Sequence, residues 1–368
     1  MPIPMSATRS ALESFIHAMP KVELHIHLEG SVSAATLREL ARAKGHLDPD
    51  VAQWISAREA GGYRYATFME FIEAFKFVAL MLKTPADYAL ATTRLMEQFA
   101  RENVRYAEVT LSAGVILWKG QPLEAVVEAV LEAAQSAERR LGVQVNWIFD
   151  AVRQFGPEPA RQVAEWAGRY RDQGVVAFGI GGDEVRGPVE LFAAVFRRAR
   201  ELGLRAVAHA GETAGPDSVR RAVEMLGAER IGHGLAAAQD STVLALLRDR
   251  AIPLEVCLTS NVATGRLKRI EDHPLRRLMT EGLTVSLNSD DPGLFATSLE
   301  EEFRRARVAF SLSPGELILL SQNAARSAFL PRDARERLCA EITQTCQSPN
   351  RSGRLDAAPL AGLDHSNS

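Results

Sequence analysis

The residues of this 368-residue chain best placed for chemistry are histidines that fall late in short apolar runs. His25 and His27 lie in KVELHIHLEG, His209 in AHAGET and His233 in RIGHGL. His25 and His27 are two residues apart in a stretch that alternates polar with apolar residues, so on a strand both imidazoles point the same way. Two neutral imidazoles from one element suit a borderline Lewis acid such as zinc. His209 and one of the adjacent aspartates of LNSDDP, Asp290 or Asp291, would complete a shell of three imidazoles and one carboxylate. A single metal ion held in this way acidifies a water molecule into a nucleophile near neutral pH. His233 and Glu212 then remain for proton transfer.

Each residue taken alone has a plainer reading. A strand histidine is commonly a hydrogen-bonded structural residue, Asp-Asp before Pro is commonly a turn or cap, and Glu212 could cap the next helix. His17, His46, His273 and His365 take that structural reading outright. For the others, recurrence at successive strand ends outweighs it.

Eight strand-like runs rich in Val and Ile supply those ends. They are 21–30, 104–111, 143–152, 175–182, 204–211, 230–235, 252–260 and 283–292, separated by stretches with helical spacing. Pro122 and Gly142 bracket one such helix over 122–142. The alternation predicts a TIM-type (β/α)8 barrel, whose strands deliver their C-terminal ends to one mouth. A doubly wound sheet is the rival architecture. Residues 46–103 are too long for one helix and include the aromatic segment 68–82, expected as extra helices after the first strand that cover the mouth. The expected organisation is a flexible start over 1–10, one barrel over 11–340 and a disordered Ser/Pro/Gly-rich tail over 348–368.

With 46% hydrophobic and 24% charged residues and a net charge of −3, the composition is globular and gives no electrostatic footprint for nucleic acid or an anionic membrane. No run approaches the roughly 20 apolar residues of a spanning helix, and the first residues lack a signal-peptide core. Three cysteines without a CxxC pair argue for a reduced, cytoplasmic protein.

The segments ELHIHLEGS, GGDE, AHAGET, RIGHGL, EVCLTSN and LNSDDP occur in the order of the adenosine deaminase family of the metal-dependent amidohydrolases, which this chain resembles over most of residues 18–330. The resemblance implies zinc, one ion per chain, on His25, His27, His209 and Asp290. It implies that Glu212 protonates purine N1 and that His233 orients and deprotonates the attacking water. Asp291 would bond N7, and the backbone N–H of Gly182 would bond N3. The implied reaction is hydrolytic loss of the 6-amino group of an adenine nucleoside, releasing ammonia.

Glu29 occupies a position where adenosine deaminases proper usually carry Asp, on the ribose side. Glu there resembles the branches acting on free adenine or on 5′-modified adenosines, including aminodeoxyfutalosine of menaquinone synthesis. The expectation is therefore a 5′-modified adenosine, with adenosine and then adenine as alternatives. Lys76, Lys83 and Lys119 are the candidates for meeting a far-end carboxylate. Other metal hydrolases on this barrel commonly use a bridging lysine, which the strand ends lack. Cytidine-type deaminases need HxE and PCxxC, both absent. A non-catalytic binding barrel has no use for Glu212, His233 and a full ligand set.

Overall fold

A computed structural model describes residues 11–43, 49–59 and 64–347, so the expectations for 1–10 and 348–368, with His46 and His365, fall outside the described residues. Eight parallel strands pair in sequence order: β1 (Lys21–His27), β2 (Val104–Leu111), β3 (Gln144–Val152), β4 (Val175–Gly181), β5 (Arg205–Ala210), β6 (Arg230–His233), β7 (Leu254–Val256) and β8 (Val285–Leu287). The sheet closes through a parallel bridge between Ile26 and Asp290. There the Asp290 N–H donates to His25 O at 3.0 Å and the His27 N–H to Asp290 O at 2.9 Å. Helices follow the strands outside, giving the (β/α)8 barrel that the alternation predicts.

The last three runs are shorter as strands than their apolar sequence suggests. In the 252–260 run only Leu254–Val256 is strand, and the chain turns into the helix Leu258–Ala263 after Cys257. The early exit leaves residues free of the ladder to aim side chains into the mouth. Between β1 and β2 the long segment forms the helices Ala34–Ala43, Pro49–Glu59, Phe68–Met81 and Pro85–Arg101. The last of these starts at a capping box: Thr84 accepts from the Asp87 N–H, and Asp87 reaches back to the Thr84 N–H. Helix Leu123–Leu141 ends on Gly142 at φ 71°, the left-handed stop that glycine adopts at low cost.

Every residue of β1 is buried, so its alternation does not divide dry from wet. The polar side faces the barrel interior, where Glu23 accepts from the Ser289 N–H at 2.6 Å and its hydroxyl at 2.7 Å. Lys21 crosses the floor and donates to Met19 O and Glu102 O at 2.8 and 2.9 Å. Arg230, also buried, pairs with Glu108 of β2 at 2.5 Å and Glu255 of β7 at 2.6 Å. This interior is polar, unlike the Val/Ile/Leu layers that commonly fill such barrels. Arg230 keeps its charge there because Glu108 and Glu255 answer it, whereas burial raises the pKa of Glu23 to about 8.

Replacing Arg230 with Met would leave two buried carboxylates without their cation. Arg230→Met is expected to lower stability by about 3–5 kcal/mol, read as a fall in the denaturant midpoint with unchanged slope. A midpoint equal to wild type would show that the pair does not brace the barrel.

Candidate active site

The C-terminal strand ends bring the sequence candidates together. β1 contributes His25 and His27, β5 His209 and β6 His233, while Asp290 and Asp291 follow β8 and Glu212 follows β5. One ligand atom from each of His25, His27, His209 and Asp290 lies within 4.8 Å of the others. His27 Nε2 is 3.3 Å from His209 Nε2. Asp290 Oδ1 is 3.3 Å from His25 Nε2 and 3.4 Å from His27 Nε2. Backbone strain accompanies this convergence, since His233 and Asp290 hold left-handed φ values of 61° and 63°. Such conformations cost on the order of 1–3 kcal/mol and persist where the surroundings dictate them. Gly232 lets His25 pass: a Cβ there would lie 2.5 Å from His25 Cε1.

The donor set fits a metal ion. His25 Nδ1 is tied to Glu255 Oε2 at 2.8 Å, and His209 Nδ1 faces Ile180 O at 3.2 Å. These contacts place the ring protons on Nδ1 and turn the Nε2 lone pairs inward. His25 Nε2 is buried without a hydrogen-bond partner among the described residues. Burial lowers the pKa of His27 and of His233 to about 4 and that of His209 well below its usual value, so these rings are neutral. Burial opposes charge on His25 as well, but Asp290 and Glu255 outweigh it and raise its pKa to about 10. A cation at Nε2 would take that proton's place. Asp290 is ionised: burial works against it, and its interaction with protonated His25 more than compensates.

Around this cluster stand the proton-handling groups. Glu212 Oε2 is 3.7 Å from His233 Nε2, and Asp290 Oδ2 is 3.9 Å from the same nitrogen. Burial, then the charges of Asp290 and Glu184, push the Glu212 carboxyl well above the usual range, which keeps it protonated and able to donate. Asp291 is pushed up likewise by burial and by Asp290, and its Oδ1 has no protein partner among the described residues. Asn261 Nδ2 lies 3.3 Å from His233 Nδ1. A half-turn of this amide lets its oxygen accept from Nδ1–H and leaves Nε2 to take a proton.

The cavity over these groups has a volume of about 310 Å³. Gly182 lines it at φ 97°, where a Cβ would sit 2.2 Å from Gln154 Oε1. Its outer wall is aromatic, with Phe68, Phe71 and Phe75 from the helix Phe68–Met81 facing Trp118 and Phe155. That segment does cover the mouth. Two cations, Lys76 and Arg186, line the same space. Lys119 does not, because it donates to Leu82 O at 2.6 Å and to Ala79 O at 2.5 Å behind the wall; Lys83 is not among the lining residues either.

Glu29 is set one step back from the cavity. It is fully buried and absent from the cavity lining; its carboxylate instead accepts the Ser112 N–H at 3.2 and 3.3 Å, and Ser112 forms the wall. The longer side chain reaches the backbone at the end of β2, and burial raises its pKa to about 7. Glu29 therefore braces the wall through Ser112.

A family model described as adenosine deaminase matches residues 20–345. The chain belongs to the adenosine deaminase family. An aminodeoxyfutalosine deaminase of Streptomyces avermitilis is 39% identical over 333 residues, 90% of this chain and 92% of that protein. The structure of an adenine deaminase from Arthrobacter aurescens superposes with a TM-score of 0.84 at 29% identity, covering 90% of this chain and all 100% of the other. An amidohydrolase from Burkholderia ambifaria with bound Zn matches with a TM-score of 0.81 at 25% identity, over 94% and 97% of the two chains. This adenosine deaminase family member is thus a hydrolase of a metal-dependent deaminase group, and its four-residue cluster is its candidate metal site.

Three residues of this family member's site escaped the sequence reading. Glu184 of GGDE accepts from the N–H groups of Gly211, Glu212 and Thr213 at 2.8, 2.9 and 2.8 Å, fixing the loop that carries Glu212. Arg153 donates to Gly187 O and His209 O, both at 2.7 Å, locking that loop against β5. Glu255 holds His25. Its place in a strand-like run and at the head of the EVCLTSN segment marked it, an acid where burial disfavours one. Glu255→Gln is expected to weaken metal affinity by about 10–100-fold, the usual effect of losing a ligand's outer partner. Competition with a chelating dye measures this; unchanged affinity would mean that His25 is oriented without Glu255.

Proposed function

We propose that this protein deaminates the 6-amino group of a 5′-extended adenosine such as aminodeoxyfutalosine, using one zinc ion on His25, His27, His209 and Asp290. Held by these residues, zinc would supply Lewis acidity that readies a water molecule to attack near neutral pH. The protein groups do the rest. His233 takes a proton from the attacking water at Nε2. Glu212 delivers a proton to N1 as C6 loses its aromatic bonding, Asp291 bonds N7, and the Gly182 N–H bonds N3. Water and the aminopurine become the 6-oxopurine and ammonia.

The aromatic wall beyond the metal cluster carries the choice of substrate. Free adenine leaves that volume empty. Adenosine ends at a 5′-hydroxyl and covers little of the wall. A phosphate would be poorly hydrated against Phe68, Phe71, Phe75 and Trp118. An aryl extension buries its ring there, and a carboxylate at its far end meets Lys76 or Arg186. The similarity to the Streptomyces avermitilis enzyme supports the same reading.

Burying about 100 Å² of apolar surface is worth about 2.5 kcal/mol, or roughly 70-fold in kcat/KM. Aminodeoxyfutalosine is expected to exceed adenosine, adenine and AMP by about that factor when turnover is followed by loss of adenine absorbance. Adenosine or adenine proving the best substrate would overturn the 5′-extension. Glu212→Gln is expected to keep the metal and lose about 10²–10⁴-fold in kcat, since an amide has no proton to give N1. Near-normal turnover at full metal content would remove Glu212 from the proton path.

A further inference from the structure

We propose that the opposite end of the barrel carries a second ligand site, built for a small anion of the diphosphate class. A cavity of about 670 Å³, larger than the active-site cavity, opens beneath the N-terminal ends of the strands. Five arginines line it: Arg205 opens β5, Arg230 opens β6, Arg250 precedes β7, and Arg326 and Arg335 come from the closing helices. Phe329 stacks between two of them, its ring 3.8 Å from Arg230 Cζ and 4.9 Å from Arg205 Cζ. The stacking holds those guanidinium groups flat against the floor.

The charges in this cavity do not cancel. Arg230 is matched by Glu108 and Glu255, and Arg205 is matched by Glu229. Among the described residues Arg326 bonds only neutral acceptors, Asn323 Oδ1 at 3.4 Å and Gln322 Oε1 at 3.0 Å. Arg335 donates to the Arg326 carbonyl at 2.9 Å, and no carboxylate among the described residues pairs with it or with Arg250. Elsewhere on this surface arginines are commonly answered by acids, as in Arg94 with Glu39 and Glu97, Arg198 with Glu165, and Arg304 with Glu300. Three guanidinium groups without a carboxylate partner among the described residues thus border one concavity, an arrangement that favours a multiply charged anion.

Guanidinium presents paired N–H donors that match phosphate oxygens, and diphosphate is such an anion at neutral pH. The cavity lies within the size range of small-molecule sites, with space for a substituent beyond the phosphates. A flat nucleic-acid footprint is ruled out by the concave shape and by a net charge of −3 for the whole chain.

The test is calorimetric titration of the metal-loaded enzyme with inorganic pyrophosphate, at constant ionic strength. One pyrophosphate per chain is expected, with affinity reduced at least about tenfold in the Arg326→Glu/Arg335→Glu double variant, because charge-assisted phosphate contacts are lost and reversed. The milder Arg250→Gln, at an exposed position, is expected to weaken binding in the same direction while leaving deaminase turnover unchanged. Chelation of the metal by pyrophosphate would act equally on wild type and variants, and metal content measured after titration separates it. No binding up to millimolar pyrophosphate, equal binding by the variants, or equally tight binding of citrate would each overturn the assignment.

Discussion

Glu255 is a single buried carboxylate on which both ends of the barrel depend. One oxygen accepts from Arg230 Nε at 2.6 Å and the other faces His25 Nδ1 at 2.8 Å. Burial would by itself protonate it, but the Arg230 charge and the His25 contact keep it below the usual carboxylate range. Glu108, Arg230, Glu255 and His25 thus form one chain of contacts through a water-poor interior, joining β2, β6, β7 and β1. Coulombic attraction is strong there and an unpaired member is costly. The orientation of the His25 ring is therefore set by the same pair that braces the floor.

The mouth is shaped by backbone as much as by side chains. His233 lies between two glycines at a left-handed φ, and Asp290 adopts a similar conformation just beyond β8. A Cβ on Gly30 would sit 1.6 Å from Asp291 Oδ1, so the chain after β1 has to leave that space to the carboxyl. These positions relieve crowding among the seven polar side chains of His25, His27, His209, His233, Glu212, Asp290 and Asp291.

Much of this was legible in the sequence, for local reasons. The Val- and Ile-rich runs marked the strands, with β2 matching over Val104–Leu111. The HxH pair and the histidines at later strand ends marked the cluster that the fold assembles. Strand ends near the site were overrun, because apolar composition continues where the chain turns away from the ladder. Glu184, Arg153 and Glu255 were hidden because their partners are distant in sequence and only folding makes them neighbours. The contact of Glu29 with the Ser112 N–H was hidden for a related reason, since the two residues lie on segments far apart in sequence.

The bridge between Ile26 and Asp290 gives vectorial synthesis a particular burden. A nascent chain that has emerged only through β7 holds three of the four candidate ligands but neither the fourth nor a partner for the free edge of β1. Parallel pairing between the two ends of a chain is the slowest kind of contact to form, and an open strand edge invites intermolecular pairing while it waits. The segment carrying Asp290 seals that edge with its backbone and presents its carboxylate in the same movement. The stretch of backbone that seals the barrel is consequently the one that sets the fourth candidate ligand beside the other three.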